Sequence, residues 1–168
     1  MSRAAEVEMV IPPGKYQKNL GNQAMRDPTG TSHSHREIAG RVVVAIFSVP
    51  DMAQGDRQQR WSTLLADNPK TMLSKKIVLL LFEDMSQAGA FKKRAMNDMK
   101  KEFTPDSRPF LIIDADGKAF KKFGIPRITT EIRIFDKKGK LRDVETDLDN
   151  EKLTLARITA ITAKLQAE

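Results

Sequence analysis

The chain has 168 residues, of which 40% are hydrophobic and 30% charged, a balance that is typical of one globular domain and excludes wholesale disorder. It contains no cysteine, which excludes disulfide bonds and thiol chemistry. No apolar run approaches the ~20 residues of a membrane-spanning helix, so no membrane span is predicted. The formal net charge is +7, but basic and acidic residues are interleaved. Without a recognition motif, this pattern favours a solvated surface over a nucleic-acid interface.

The beginning of the chain predicts little regular structure. Residues 1–18 lack a periodic apolar pattern and are expected to form an irregular arm in front of a single domain over residues 19–168. A short strand is predicted over residues 20–26, with a turn at residues 27–30, where Pro28 and Gly30 suit the turn dihedral angles. The polar residues after this turn are expected to form a loop or a short helical turn.

A buried strand and a helix follow. Residues 42–47 are continuously apolar and rich in β-branched side chains, which is typical of a strand covered on both faces in an α/β sheet. Pro50 and Asp51 suit the opening of a helix that should end near residues 67–69. An apolar stripe at helical spacing predicts its buried face: Trp61, Leu64 and Leu65.

The next elements repeat this order. A second buried strand is predicted over residues 77–82, followed by a helix with an apolar residue every fourth position, expected to pack into the core: Phe91, Ala95, Met99 and Phe103, with Met96 beside them. A third strand is predicted over residues 110–113. A short helix over residues 119–123 should end at Gly124, which permits a left-handed cap.

The last part of the chain predicts a hairpin and a helix. Ile132 and Ile134 alternate with Glu131 and Arg133, as in an antiparallel strand, and this pattern tolerates one face in water. The strand should pair with residues 140–145. A final helix should begin after Asp149 or Asn150, with one apolar face made of Leu155, Ile158, Ile161 and Leu165. Two parallel strands followed by an antiparallel hairpin predict an α/β fold.

This order resembles the thioredoxin-like fold in the extended form found in peroxiredoxins and membrane-tethered thiol-disulfide oxidoreductases. The likeness is carried by residues 27–47, 119–125 and 132–140. It implies a thioredoxin-like domain with an amino-terminal extension and an extra strand and helix before the carboxyl-terminal hairpin. Residues 110–117 and 134–139 are most similar to small YtfJ-type periplasmic thioredoxin-like proteins, which implies an exported protein whose signal peptide has been removed.

The sequence departs from this family where its chemistry is located. The position of the paired cysteines holds Met52-Ala53-Gln54-Gly55, so neither the attacking nor the resolving sulfur exists. The family's cis-proline position falls at Thr129, and a cis bond before threonine would cost ~2.5–4 kcal/mol, so we expect a trans bond there. Pro126 is an alternative equivalent of that proline if the loop is shorter.

The leading hypothesis is therefore a redox-inactive module that binds a protein or peptide. We expect no thiol-disulfide or peroxidase activity, no catalytic residue and no cofactor. The expected binding groove comprises six residues from two segments: Met52, Gln54, Gly55, Ile128, Thr129 and Thr130. The partner itself is not identified by the sequence.

A second hypothesis is a metal-dependent or hydrolytic enzyme that uses His33, His35 and carboxylates near Asp51. Two histidines two residues apart share one face of a strand, but a tetrahedral metal site needs further ligands that the spacing does not identify. Asp51 and Asp56 fit a helix cap better than a general base. Ser48 follows a buried strand but has no triad partner in the pattern.

A third hypothesis is a basic surface that binds nucleic acid or an anionic membrane. The densest basic stretches are residues 92–101 and 137–140. The first is predicted on a helix and the second in a hairpin turn, which favours ordinary solvated positions.

Overall fold

The structure is a computed structural model that describes residues 25–33, 35–68, 77–104, 110–125 and 129–168. Its strands are β1 (Met25–Arg26), β2 (Ser32–His33), β3 (Val42–Ser48), β4 (Ile77–Asp84), β5 (Phe110–Asp114), β6 (Glu131–Phe135) and β7 (Leu141–Glu145). Its helices are α1 (Met52–Asp67), α2 (Lys92–Glu102), α3 (Lys118–Phe123) and α4 (Glu151–Ala167). Short 3-10 turns lie at His35–Glu37, Met85–Gln87 and Gly89–Phe91.

The central sheet has five strands in the order β5-β4-β3-β6-β7. Strand β4 is parallel to β3 and to β5, whereas β6 is antiparallel to β3 and to β7. The prediction of two central parallel strands with the hairpin beside them is confirmed. Every residue of β3 is buried, because helices cover both faces of the sheet, as the continuous apolar run requires.

Each face of the sheet has its own apolar core. On one face, Trp61 and Leu65 of α1 and Ile158 of α4 pack with side chains of β3. The Trp61 indole is fully buried and donates a hydrogen bond to the Leu148 carbonyl oxygen at 2.9 Å. On the other face, aromatic rings from β3, β4 and α3 pack together: Phe47, Phe82, Phe120 and Phe123.

The predicted core stripe of α2 is wrong. Phe91 is 71% exposed, and no residue of α2 is buried. Met99 and Phe103 are half-buried. The apolar side chains of this segment are therefore only partly covered.

The alternating pattern of β6 would tolerate one face in water, but all five residues of the strand are buried. The Arg133 side chain is fully buried, and its Nε donates to Glu131 Oε2 at 2.9 Å. A second guanidinium nitrogen, Nη1, donates to the Phe123 carbonyl oxygen at 2.7 Å, and the guanidinium lies over the Phe47 ring. The charged face of β6 is buried because it lies against Phe47 and Phe123, and its charges are paired within the core.

Several predicted ends of elements are confirmed. Gly124 ends α3 in the left-handed conformation, with a φ of 64°. Asn150 is the N-cap of α4 but makes no side-chain capping bond. The expected arm over residues 1–18 and most of the predicted first strand lie outside the described residues. No helix in the described part of the chain has the length and apolar character needed to cross a membrane.

Candidate functional site

The amino end of α1 lies where the resemblance implies the redox motif. The helix begins at Met52, and the Asp51 carboxylate accepts a hydrogen bond from the Gln54 backbone N–H at 2.8 Å. The Gly55 N–H also bonds to the Asp51 carbonyl oxygen, at 2.7 Å. Asp51 therefore acts as a helix cap, as predicted, and its carboxylate is occupied by the backbone.

The Gln54 side chain connects this helix end to the residue before β6. Its Oε1 accepts the Thr130 backbone N–H at 2.9 Å and the Thr130 hydroxyl at 2.8 Å. Arg57 Nη1 donates to the same oxygen at 3.0 Å. The Ser48 hydroxyl lies 3.1 Å from the Thr130 hydroxyl and 3.4 Å from the Gln54 carbonyl oxygen. The Gln54 amide oxygen thus joins α1 to the residue before β6, and the Ser48 hydroxyl connects the end of β3 to both of them.

The structure brings several predicted groove residues together and leaves others undetermined. Gln54 and Thr130 are in direct contact, and Thr130 is only 3% exposed. Thr129 is exposed beside it, and a Cβ added to Gly55 would meet no atom within 4 Å. Ile128 lies outside the described residues, as does Pro126. The trans bond at Thr129 stays a prediction.

The groups at this site offer binding rather than nucleophilic chemistry. Ser48 is fully buried, and its hydroxyl is within hydrogen-bond distance of a threonine hydroxyl and a carbonyl oxygen, neither of which is a general base. The chain has no cysteine, so no thiol is present at the amino end of α1. An amide, hydroxyls and backbone groups can hold a ligand but do not activate a nucleophile.

His33 is engaged in a local cluster rather than in a metal site. Its Nε2 lies 2.7 Å from Asp27 Oδ2, and its Nδ1 lies 3.2 Å from Glu37 Oε2. Burial alone would lower the pKa of His33, but the hydrogen bonds to Asp27 and Glu37 outweigh it and raise the pKa above its usual value. With both ring nitrogens next to carboxylates, the protonated ring is favoured, and a protonated imidazole does not bind a metal. Among the described residues, no group of three or more His, Asp or Glu side chains could hold a metal ion.

Two buried charged features were missed by the sequence analysis. The first is the Glu131–Arg133 pair in β6. The second is Glu83, which extends β4 beyond its apolar run and is 6% exposed. Burial, with a smaller contribution from Asp84, raises the pKa of Glu83 to about 7. A signal existed for Glu83, because no turn residue separates it from the apolar run.

The sheet order and the helices on both of its faces define a thioredoxin-like fold, with the extra strand β5 and helix α3 before the hairpin. No protein-family model and no curated protein matches the sequence. Solved structures share the fold.

Three similar structures carry the expected architecture. The exposed lipoprotein thioredoxin of Streptococcus pneumoniae is 16% identical, with a TM-score of 0.59 over 81% of this chain and 98% of that one. The secreted Mycobacterium tuberculosis disulfide oxidoreductase homologous to E. coli DsbE is 14% identical, with a TM-score of 0.56 over 83% and 96%. The thioredoxin domain of a Bacteroides vulgatus thiol-disulfide oxidoreductase is 13% identical, with a TM-score of 0.57 over 86% and 97%. At these identities the likeness establishes the fold and carries no activity over to this chain.

Proposed function

We propose that this protein is a redox-inactive thioredoxin-like module that binds a protein or peptide segment at the amino end of α1. The observation that carries the proposal is the contact between Gln54 and Thr130, which holds the helix end against the residue before β6 although the chain has no cysteine. The resembled family binds its substrates at this place. Retention of the geometry without the sulfur favours binding over catalysis.

The hydrogen bonds restrict how a partner would bind. An extended peptide can add to exposed backbone by strand-like pairing. The Thr130 N–H is already bonded to Gln54, so the partner would use the backbone of the exposed Thr129. The open space beside Gly55 would let the partner approach the helix closely.

Selection from a random peptide library on the immobilised protein tests this proposal. Selected peptides should bind the unmodified protein and lose at least tenfold in affinity for Thr129→Arg. The matched control is Thr63→Arg, at an exposed position further along α1, which should bind them normally. Both variants should keep the thermal stability of the parent protein.

The proposal would be contradicted by peptides that bind Thr129→Arg as well as they bind the parent protein, or by selections that yield no binder. A steep dependence of the binding affinity on salt concentration would also contradict it, because it would point to a basic surface. Turnover in a thiol-disulfide or peroxidase assay by a pure preparation would contradict the redox-inactive assignment.

We further propose an exported location. Two similar structures belong to proteins described as an exposed lipoprotein and as secreted, which supports this location. The closer resemblance to YtfJ-type periplasmic proteins stays a prediction. Fractionation of the source cells with antibodies against the protein would test the location directly.

A further inference from the structure

A cleft of about 510 Å³ lies between α1 and α2, away from the first turn of α1. Its volume is within the usual range for small-molecule sites. Leu81 of β4 and Leu111 of β5 contribute apolar surface, and so do Met99 and Phe103 on the α2 side. Met99 and Phe103 are only half-buried in part because they face this open space.

Among the described residues, the charged side chains that line the cleft are all acidic. Asp67 comes from α1, Glu83 from β4 and Glu102 from α2. Lysine and arginine are absent from its described lining, although the chain as a whole carries a formal net charge of +7. The charge of the described lining is therefore opposite to the net charge of the chain and complements a cation.

Glu83 provides an independent sign of a ligand. Leu81 and Glu83 are two residues apart on β4 and so share the face of the sheet that α1 covers. Glu83 is 6% exposed, and its Oε2 has no hydrogen-bond partner among the described residues. A buried oxygen without a partner is costly, and a donor from a bound molecule would remove that cost.

The geometry points to a binding site for a small amphipathic organic cation, whose ammonium group pairs with the Glu83 carboxylate and whose apolar body contacts Leu81, Leu111 and Phe103. A metal ion is disfavoured as the occupant, because the described residues offer no group of three metal-ligating side chains. This site is separate from the peptide-binding surface and does not depend on it.

Calorimetric titration with three related probes tests the proposal at about pH 8. Phenethylamine carries an ammonium group, phenethyl alcohol is its neutral analogue, and phenylpropionate is anionic. The amine should bind most tightly and the anion least. Glu83→Gln should weaken amine binding about tenfold or more, since a hydrogen bond to a charged group contributes ~1.5–3 kcal/mol. Alcohol binding should be nearly unchanged.

The matched control is Asp98→Asn, which removes one exposed carboxylate from α2 at a position that does not line the cleft. This variant should bind the amine as the parent protein does. Both variants replace a carboxylate by an amide of the same shape, and an unchanged circular dichroism spectrum would confirm that each is folded.

Proton release provides a second readout. At about pH 7 Glu83 is partly protonated, so an ammonium ion that binds its carboxylate should displace a proton. The other carboxylates near this group are Asp84 on the same strand, Asp67 on α1 and Glu102 on α2. The binding heat should differ between phosphate and Tris buffers for the parent protein but not for Glu83→Gln. Equal affinities for amine and alcohol, amine binding unaffected by Glu83→Gln, or no binding of the amine would each overturn the proposal.

Discussion

The side-chain oxygen of Gln54 lies 2.9 Å from the backbone nitrogen of Thr130, a residue 76 positions further along the chain. This contact holds the first turn of α1 against the residue before β6. In the resembled family, the redox motif lies at the corresponding helix end. Its partners are an amide and a backbone group, so it positions the site without supplying reactive chemistry.

Gln54→Ala should lower the free energy of unfolding by about 1–3 kcal/mol, because it leaves the buried Thr130 N–H without its partner. Gln59→Ala is the control, since Gln59 is exposed on the same helix and alanine favours helices. Urea denaturation of both variants measures the effect. Equal stabilities would show that the bond contributes nothing.

Substitutions of the buried pair Glu131 and Arg133 should have non-additive effects on the free energy of unfolding. Arg133→Met should cost about 3–5 kcal/mol, because it leaves the Glu131 carboxylate buried without its cation. The double variant Glu131→Leu/Arg133→Met removes both charges and should recover most of that loss. Urea denaturation of the single and double variants gives the coupling energy. A double variant less stable than Arg133→Met would contradict this account.

The raised pKa of Glu83 predicts a fall in stability as pH rises. The pKa of Glu83 is about 7 in the folded protein, whereas the ordinary value of 4.5 applies to the unfolded chain. Between pH 4.5 and about pH 7 the folded state therefore binds more protons than the unfolded state. The contribution of the protonated carboxyl is therefore present below about pH 4.5 and is lost as pH rises to about 7, by about 3 kcal/mol in all.

Glu83→Gln isolates this contribution from all other titrating groups. The free energy of unfolding of the parent protein should fall relative to that of Glu83→Gln as pH rises from about 4.5 to about 7. Above about pH 7 the difference between the two proteins should stay constant. Denaturation across this range measures it. Parallel stability curves would show that Glu83 titrates normally.

Alanine substitutions at two glycines should change the stability of the protein in opposite directions. Gly55 is helical and has open space at its Cβ position, so Gly55→Ala should stabilise the protein by about 0.5–1 kcal/mol. Gly117 has a φ of +75°, and its Cβ would lie 2.8 Å from Ser86 Oγ, so Gly117→Ala should destabilise it. Thermal unfolding of both variants checks the signs. A stabilised Gly117→Ala would disprove the steric argument.

Local patterns predicted many elements because short-range physics dominates them. The apolar run at residues 42–47 requires cover on both faces of a strand, and Asp51 and Gly124 act through their own backbone neighbours. The site was predictable in part: Gln54 and Thr130 were chosen through a family resemblance. The sequence does not predict the hydrogen bonds between these two residues, because the spacing of residues along the chain does not specify side-chain geometry.

The sequence by itself determined the order of strands and helices from β3 onward, the caps and the absence of thiol chemistry, because these depend on neighbouring residues and composition. Only the tertiary structure decided which faces are wet. Arg133 and Phe91 show the difference: the charged side chain is fully buried and the aromatic one is 71% exposed. Burial depends on what other segments cover. For Arg133 these are the elements around β6, whereas no segment in the described part of the chain covers the Phe91 ring.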